Sequence, residues 1–287
     1  MYNKSTMLRK NLYSMLLILF LGSAAAHAQS SSSATPIPVD EIIRKFSEKE
    51  KAFKLARANY TYRQEVTVEE LTTDDRVRGR YQMTSDVGFD STGKRNEKVV
   101  YAPESTLGVG QSTLGMTKED LDDLKNIQPF VLTSDDIYKY KLTYGGQEKV
   151  DEIGCYVFDV EPKKIEKDQR YFQGKIWVDD RDFQIVKTYG KAVPDLHKGG
   201  KDENLFPRFE TYREEIDHYW FPTYTRAVDT LKFSTRNIKI REIVKYTNYK
   251  RFGADIKLIF GDSVDDSATG KPSTPESNKA PAIGPKK

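Results

Sequence analysis

Residues 172–187 read FQGKIWVDDRDFQIVK, and this stretch decides the predicted fold. The runs 171–178 and 183–189 are rich in aromatic and β-branched residues, and the acidic run 179–182 lies between them. Runs of this composition on either side of turn-forming residues are typical of two strands joined by a tight turn. A calcium loop would need a different spacing and a closing Glu. The stretch therefore predicts a β-hairpin.

Further strand patterns lie on both sides of this hairpin. In residues 60–69, aromatic and β-branched residues alternate with polar ones, which is the period of a half-buried strand. Gly145-Gly146 predicts a hairpin turn between two short strands, because paired glycines favour the positive φ angles of such turns. The other predicted strands cover residues 76–85, 98–101, 138–144, 147–150, 155–160, 208–216, 221–231, 237–249 and 255–260.

Two helices are predicted among the strands. Asp40 is placed to cap a helix whose apolar residues Ile42, Ile43, Phe46, Phe53 and Ala56 recur at helical spacing. Thr117 is placed to cap a second helix over 118–126, which Pro129 ends. So many antiparallel strands must curl, close or split into two layers. We predict a mainly β fold of the α+β class, with one strongly curved antiparallel sheet and helices on one face.

The two ends of the chain read as segments outside this domain. Residues 1–28 combine Lys4, Arg9 and Lys10 with a short apolar run and end in Ala26-His27-Ala28, which predicts a signal peptide cleaved after Ala28. The apolar run, 15–21, is well short of the roughly 20 residues of a membrane span. We predict a flexible Ser/Pro linker at 29–39, a single domain at 40–260 and a disordered polar tail at 261–287.

Charge and reactive residues exclude several function classes. The formal net charge of +3 equals the three basic residues of the predicted signal peptide, so the mature chain is formally neutral and offers no general basic surface for nucleic acid. Cys155 is the only cysteine and lies in a strand pattern, and His197 and His218 are the only histidines after residue 28. Gly108-Val109-Gly110 lacks the third glycine of a dinucleotide site. We predict no enzyme activity, no cofactor and no metal site.

The aromatic content leaves two interpretations open. The chain has 17 Tyr, 14 Phe and 2 Trp, many of them in the alternating strands. Aromatic side chains fill sheet cores, so a solid core explains them. A curved sheet whose apolar face is incompletely filled, leaving a pocket for a hydrophobic ligand, is the alternative explanation.

Two segments resemble a known family. The hairpin 172–187, continued by Gly190-Lys191, is similar to one in the outer-membrane lipoprotein-sorting (lipoprotein carrier-like) proteins, where Gly-x-Ile/Val-Trp-Val-Asp leads through an acidic turn into Ile/Val-Val-Lys/Arg. The run 218–222, HYWFP, followed by 243–249, resembles the later part of the same pattern. The resemblance implies an unclosed half-barrel with helices over its concave face and an apolar cavity.

The function implied by this resemblance is that of an exported periplasmic carrier. Such a protein holds a lipid, a lipoprotein acyl chain or another hydrophobic ligand against the curved sheet, and it is periplasmic or secreted and a monomer. The alternative is a non-enzymatic cell-envelope module that binds a protein partner and no small ligand. The predicted cavity residues are Tyr62, Val66, Trp177, Ile185, Val186, Trp220 and Tyr224.

Overall fold

The computed structural model of the chain describes residues 37–252, with gaps at 91, 113, 195–204 and 234–235. The predicted signal peptide, most of the predicted linker, the predicted strand 255–260 and the predicted tail lie outside the described residues. No helix in the described ranges has the length and apolar character needed to span a membrane.

In the described residues, one sheet of ten strands forms the body of the protein. The strands are β1 Tyr60–Leu71, β2 Val77–Phe89, β3 Arg95–Tyr101, β4 Tyr140–Val150, β5 Ile153–Pro162, β6 Tyr171–Asp179, β7 Ile185–Val193, β8 Phe209–Ile216, β9 Tyr219–Lys232 and β10 Asn237–Arg251. Neighbouring strands are antiparallel throughout, in the order β3-β2-β1-β10-β9-β8-β7-β6-β5-β4. The two edges, β3 and β4, do not meet, which confirms the predicted open half-barrel.

The pairing of β1 with β10 determines the path of the chain between β3 and β4. Because β3 and β4 are the opposite edges of the sheet, the connection between them at 102–139 must pass over one face. We call this connection the crossing segment. It contains a short helix, α2 (Lys118–Asp122), a π-helical turn (Asp123–Ile127) and a 3-10 turn (Ile137–Lys139). Thr211 Oγ1 on β8 donates a hydrogen bond to the Gln128 carbonyl of this segment at 3.0 Å.

The first helix, α1 (Val39–Arg57), packs on the same face. Its Phe46 ring lies 5.6 Å from that of Phe158, and its Phe53 ring lies 5.1 Å from that of Phe221. We call this side of the sheet the covered face; its β1 row is Tyr60, Tyr62, Gln64, Val66 and Val68. The alternate side chains form the open face. Helices therefore cover one face of the sheet, as predicted.

The predicted caps have different outcomes. Thr117 caps α2 as predicted: its Oγ1 accepts a hydrogen bond from the Asp120 amide at 3.2 Å, and the Asp120 side chain accepts one from the Thr117 amide. Asp40 does not cap α1, because the helix already begins at Val39 and Pro38 takes the cap position. Asp40 lies instead in the first turn, where a negative charge favours the helix dipole.

The predicted hairpin at Gly145-Gly146 is wrong. β4 runs through both glycines as one strand, and its register against β5 shifts between Tyr144 and Gly146. Gly146 has a φ of +101°, so the glycines form a β-bulge and not a turn. The chain reverses later, at Asp151-Glu152, where Asp151 has a φ of +52°.

The predicted hairpin at 171–189 is present as β6 and β7. Asp179 stabilises its turn, because Oδ1 accepts hydrogen bonds from the amides of Arg181 at 2.6 Å and Asp182 at 3.0 Å. Asp182 Oδ2 in turn accepts a hydrogen bond from Trp220 Nε1 at 2.9 Å. The acidic turn thus ties this hairpin to the start of β9, which is a structural role.

Candidate functional site

The structure divides the seven predicted cavity residues between the two faces of the sheet. Tyr62 and Val66 lie on the covered face against Leu124 of the crossing segment, and Ile185 lies there beside Glu50 of α1. The other four, Trp177, Val186, Trp220 and Tyr224, lie on the open face. Ile185 and Val186 are adjacent, so strand alternation sends their side chains to opposite faces. The seven residues therefore do not line one common cavity.

Three of these four residues, Trp177, Val186 and Trp220, belong to a small packed cluster on the open face. Trp177 is 8% exposed and contacts Cys155, Val157 and Val186, with Trp220 against the same cluster. Its Nε1 donates a hydrogen bond to Glu148 at 2.8 Å. Lys187 Nζ lies 5.1 Å from the Trp177 ring centroid, in the range of a cation–π contact. Long polar side chains thus cover these apolar groups, which no helix of the described residues covers.

The covered face holds an apolar cavity of about 300 Å³ between the crossing segment and strands β1, β9 and β10. Its strand wall consists of Val68, Leu231 and Ile240, and Leu114 and Met116 of the crossing segment face them. Leu205, Phe206, Pro207 and Phe233 complete the apolar lining. This volume is at the lower end of the range for small-molecule sites, which are mostly apolar with a few polar groups.

The polar groups of this cavity are mainly carboxyls. Glu242 on β10 is 6% exposed, and burial raises its pKa to about 7, with the charges of Asp120 and Asp123 adding to the effect. Gln128 donates a hydrogen bond to Glu242 and opposes this shift. Burial also raises the pKa of Asp120. As the pH falls through about 7, Glu242 therefore binds a proton, and the cavity loses a negative charge.

Around Phe221 the covered face is densely filled. Under α1, the rings of Tyr60 and Tyr249 lie 4.8 Å and 4.7 Å from that of Phe221. Beside them Glu50 and Arg213 form an ion pair with an Nη1–Oε1 distance of 2.9 Å, and their side chains are 0% and 1% exposed. Arg213 also donates a hydrogen bond to the Phe130 carbonyl. The ion pair and this hydrogen bond join α1, β8 and the crossing segment, so they fix the positions of α1 and the crossing segment over the sheet.

The residues considered for chemistry do not converge. Cys155 is 1% exposed, and burial raises the pKa of its thiol to about 11, away from the reactive thiolate. The His218 side chain is 96% exposed near the β8–β9 turn, and His197 lies outside the described residues. Within the described ranges, no group of three or more His, Cys, Asp or Glu side chains is placed to hold a metal ion.

Sequence reasoning missed most of the apolar cavity. Val68 continues the alternating row of Tyr62 and Val66, so extending that row by one step would have found it. Leu114, Met116 and Phe206 lie outside regular strands and helices, where no periodic pattern marks an inward side chain. Their place in the cavity depends on the crossing segment and on the β1–β10 pairing.

No family model matches the chain, and no curated protein matches it. Similar solved structures include a DUF1329 family protein from Desulfovibrio piger, with 16% identity, a TM-score of 0.36, and coverage of 73% of this chain and 95% of that chain. A LolA superfamily protein from Nitrosomonas europaea has 12% identity, a TM-score of 0.32, and coverage of 71% and 94%. A putative outer membrane lipoprotein-sorting protein domain from Vibrio parahaemolyticus has 12% identity, a TM-score of 0.33, and coverage of 73% and 93%. The last bears the name of the group that the hairpin at 172–187 resembles.

Proposed function

We propose that this chain is an exported periplasmic binding or carrier protein that holds an acyl chain or a similar hydrophobic ligand in the apolar cavity. The observation that carries the proposal is the unfilled space of about 300 Å³ between Val68 and Ile240 on the sheet and Met116 on the crossing segment. The proposal includes no catalytic step. The role is to keep an apolar group out of water.

The energetics favour an apolar occupant. Each methylene group that moves from water into an apolar site contributes about 0.8 kcal/mol. Wall atoms that face an empty space lose dispersion contacts, and an acyl chain restores them. Because Glu242 binds a proton near neutral pH, we expect the affinity for an apolar ligand to increase as the pH falls through about 7.

The proposal also covers the ends of the chain. Residues 1–28 would direct export and be removed after Ala28, residues 29–39 would link the mature amino terminus to the domain, and residues 261–287 would form a polar tail. The domain at 40–260 would act as a monomer in the periplasm, or outside the cell if it is fully secreted.

The experiment is native mass spectrometry, with lipid extraction, on the mature protein purified from a bacterial periplasm. We expect a co-purifying acyl lipid and binding of added oleate. Met116→Trp fills the cavity and should reduce oleate affinity at least tenfold, since it removes space for several methylene groups. The matched control is Val109→Trp, on the same segment at a 60% exposed site outside the cavity lining, which should bind like the wild type.

A clean apo mass and no oleate binding would overturn the carrier function and favour an envelope interaction module. One observation supports that second function. β3 is an edge strand, and its Val99, Val100 and Tyr101 side chains are 51%, 44% and 56% exposed. An extended segment of a partner protein could pair with this edge as an additional strand.

A further inference from the structure

A second cavity on the covered face has the opposite chemistry. It measures about 350 Å³ and lies beside the later part of the crossing segment, and its lining shares no residue with that of the apolar cavity. Asp136 is its one acidic lining residue among the described residues. We call it the basic cleft, after its six cationic side chains, which are Lys54, Arg57, Arg95, Lys125, Lys139 and Arg170.

Three carboxylates pair with five of these cations. Glu97 lies 2.9 Å from both Arg95 Nη1 and Lys125 Nζ. Asp136 lies 2.8 Å from Lys139 Nζ and 3.7 Å from Lys54 Nζ. The fifth pair joins Arg170 to Asp123. The cations outnumber these carboxylates, so the cleft carries a net positive charge.

Arg57, the last residue of α1, is the cation without such a pair. Within the described part of the chain no hydrogen bond or ion pair to its guanidinium is found, and its Nε is buried without a partner. The guanidinium lies over the rings of Phe89, at 5.0 Å, and Phe53, at 5.8 Å. Burial lowers the pKa of Arg57, and the nearby charge of Arg213 adds to this effect.

The position of Arg57 at a helix end explains only part of this arrangement. A cation is favoured in the last turn of a helix by the helix dipole. A surface position would serve that purpose and leave Nε in contact with water. A buried guanidinium N–H without an acceptor is instead unfavourable. The Arg95 Nε is also buried without a partner, while its terminal nitrogens donate hydrogen bonds to Glu97 and Gln64.

We propose that the basic cleft binds a phosphate group, with Arg57 as its main ligand and Arg95 and Lys125 as supporting charges. The guanidinium fork of Arg matches phosphate oxygens with two parallel hydrogen bonds, which favours phosphate over a monatomic anion. Tyr62, Phe89 and Phe130 line the same cleft and offer apolar surface to the organic part of a phosphate ester. The phosphate belongs to a lipid headgroup or to a soluble phosphate, and these two sources share this chemistry.

The test is calorimetric titration of the mature protein with three probes, namely inorganic phosphate, dihexanoyl phosphatidic acid below its micelle concentration, and phosphate-free dihexanoylglycerol. We expect phosphatidic acid to bind, dihexanoylglycerol to bind at least tenfold more weakly, and the phosphatidic acid affinity to fall as salt is added. Arg57→Gln should weaken phosphatidic acid binding about tenfold or more, since it removes charge-assisted hydrogen bonds.

The matched control is Arg226→Gln, on the open face, where the Arg226 side chain is 57% exposed and pairs with Glu210. It should bind like the wild type. If Arg57→Gln fails to fold, Lys125→Gln tests the same cluster of positive charges at a side chain that is 33% exposed. A smaller loss of phosphatidic acid affinity is expected for this variant.

The probes separate the two sources and the two cavities. Binding of inorganic phosphate as well as phosphatidic acid identifies a general phosphate site, and binding of phosphatidic acid alone identifies a lipid headgroup. Equal binding of dihexanoylglycerol, or an Arg57→Gln affinity like that of Arg226→Gln, overturns the proposal. Met116→Trp should leave the titration unchanged, so failure of the basic cleft and failure of the apolar cavity are distinguishable.

Discussion

The two faces of the sheet use the same residue types with different consequences. On the covered face, Glu50 and Arg213 form an ion pair whose side chains are 0% and 1% exposed. On the open face, Glu210 pairs with Lys187 and Arg226 at exposures from 18% to 57%. Arg213 and Glu210 lie on the same strand, β8, with their side chains on opposite faces, and Glu50 lies on α1. The difference arises because α1 and the crossing segment remove water from only one face.

The same contrast applies to the aromatic residues. Trp177 on the open face is packed under Lys187 and hydrogen-bonded to Glu148, while Tyr62 on the covered face lines the basic cleft. Aromatic content by itself therefore marks neither a cavity nor a face. What distinguishes the covered face is that charges and empty volume there lie beneath α1 and the crossing segment. Three substitutions test this difference, and the first two have a partner variant on the other face.

The largest effect is expected at the buried ion pair. Arg213→Met leaves the Glu50 carboxylate buried without its partner and should lower the free energy of unfolding by about 3–5 kcal/mol. Arg226→Met on the open face should lower it by less than about 1 kcal/mol, because that pair is exposed to water. Urea unfolding measures both. Equal losses would show that the covered face does not isolate its charges from water.

The double variant Glu50→Leu with Arg213→Met refines this result. It removes both charges, so most of the loss seen with Arg213→Met alone should be recovered if the apolar side chains pack. A double variant as unstable as the single one would instead assign the loss to packing.

The next effect concerns the pH dependence of stability. The pKa of Glu242 is about 7 in the folded chain, against a value of 4.5 for an unperturbed Glu. Between these values the folded chain keeps a proton that the unfolded chain releases, so the free energy of unfolding falls as the pH rises from about 4.5 to 7. The size of this loss is on the order of 3 kcal/mol. Glu242→Gln should remove it, as measured by urea unfolding at several pH values.

Glu210 on the open face provides the control, because its pKa is shifted in the opposite direction. Burial opposes the shift, but hydrogen bonds from Tyr212 and Lys187 lower the pKa of Glu210. Its contribution to stability is therefore present above the unfolded pKa and is lost as the pH falls through the lower folded value. Glu210→Gln should therefore lower stability above the unfolded pKa and leave it unchanged at acid pH, where this contribution is already lost. A Glu242→Gln profile parallel to that of the wild type would contradict the buried, protonated carboxyl.

The smallest effect is expected at Lys187. Lys187→Gln removes an ion pair to Glu210 at 3.2 Å and the contact with the Trp177 ring. Both interactions lie at the solvent side of the sheet, so the free energy of unfolding should fall by less than about 1 kcal/mol. Oleate binding should be unchanged. A clear loss of oleate binding in this variant would place the ligand on the open face, beside Trp177 and Val186, and would contradict the apolar cavity as its site.

Sequence patterns predicted the local elements well where composition and period agree. The alternation at 60–69, the hairpin at 171–189 and the helix capped by Thr117 all follow from interactions between near neighbours in the chain. Gly145-Gly146 shows the limit of such reasoning. Glycine permits a positive φ in a turn and in a bulge alike, and the pairing of β4 with β5 decides between them.

Alternation, caps and turns are local patterns, so they are sufficient to predict a mainly β protein with an antiparallel meander and two helices. Which row of each strand is covered depends on tertiary packing. A period of two generates two rows that are equivalent until another element packs on one of them, and aromatic residues occupy both. The β1–β10 pairing sends the crossing segment over one face, and that contact, between residues far apart in the chain, creates both cavities.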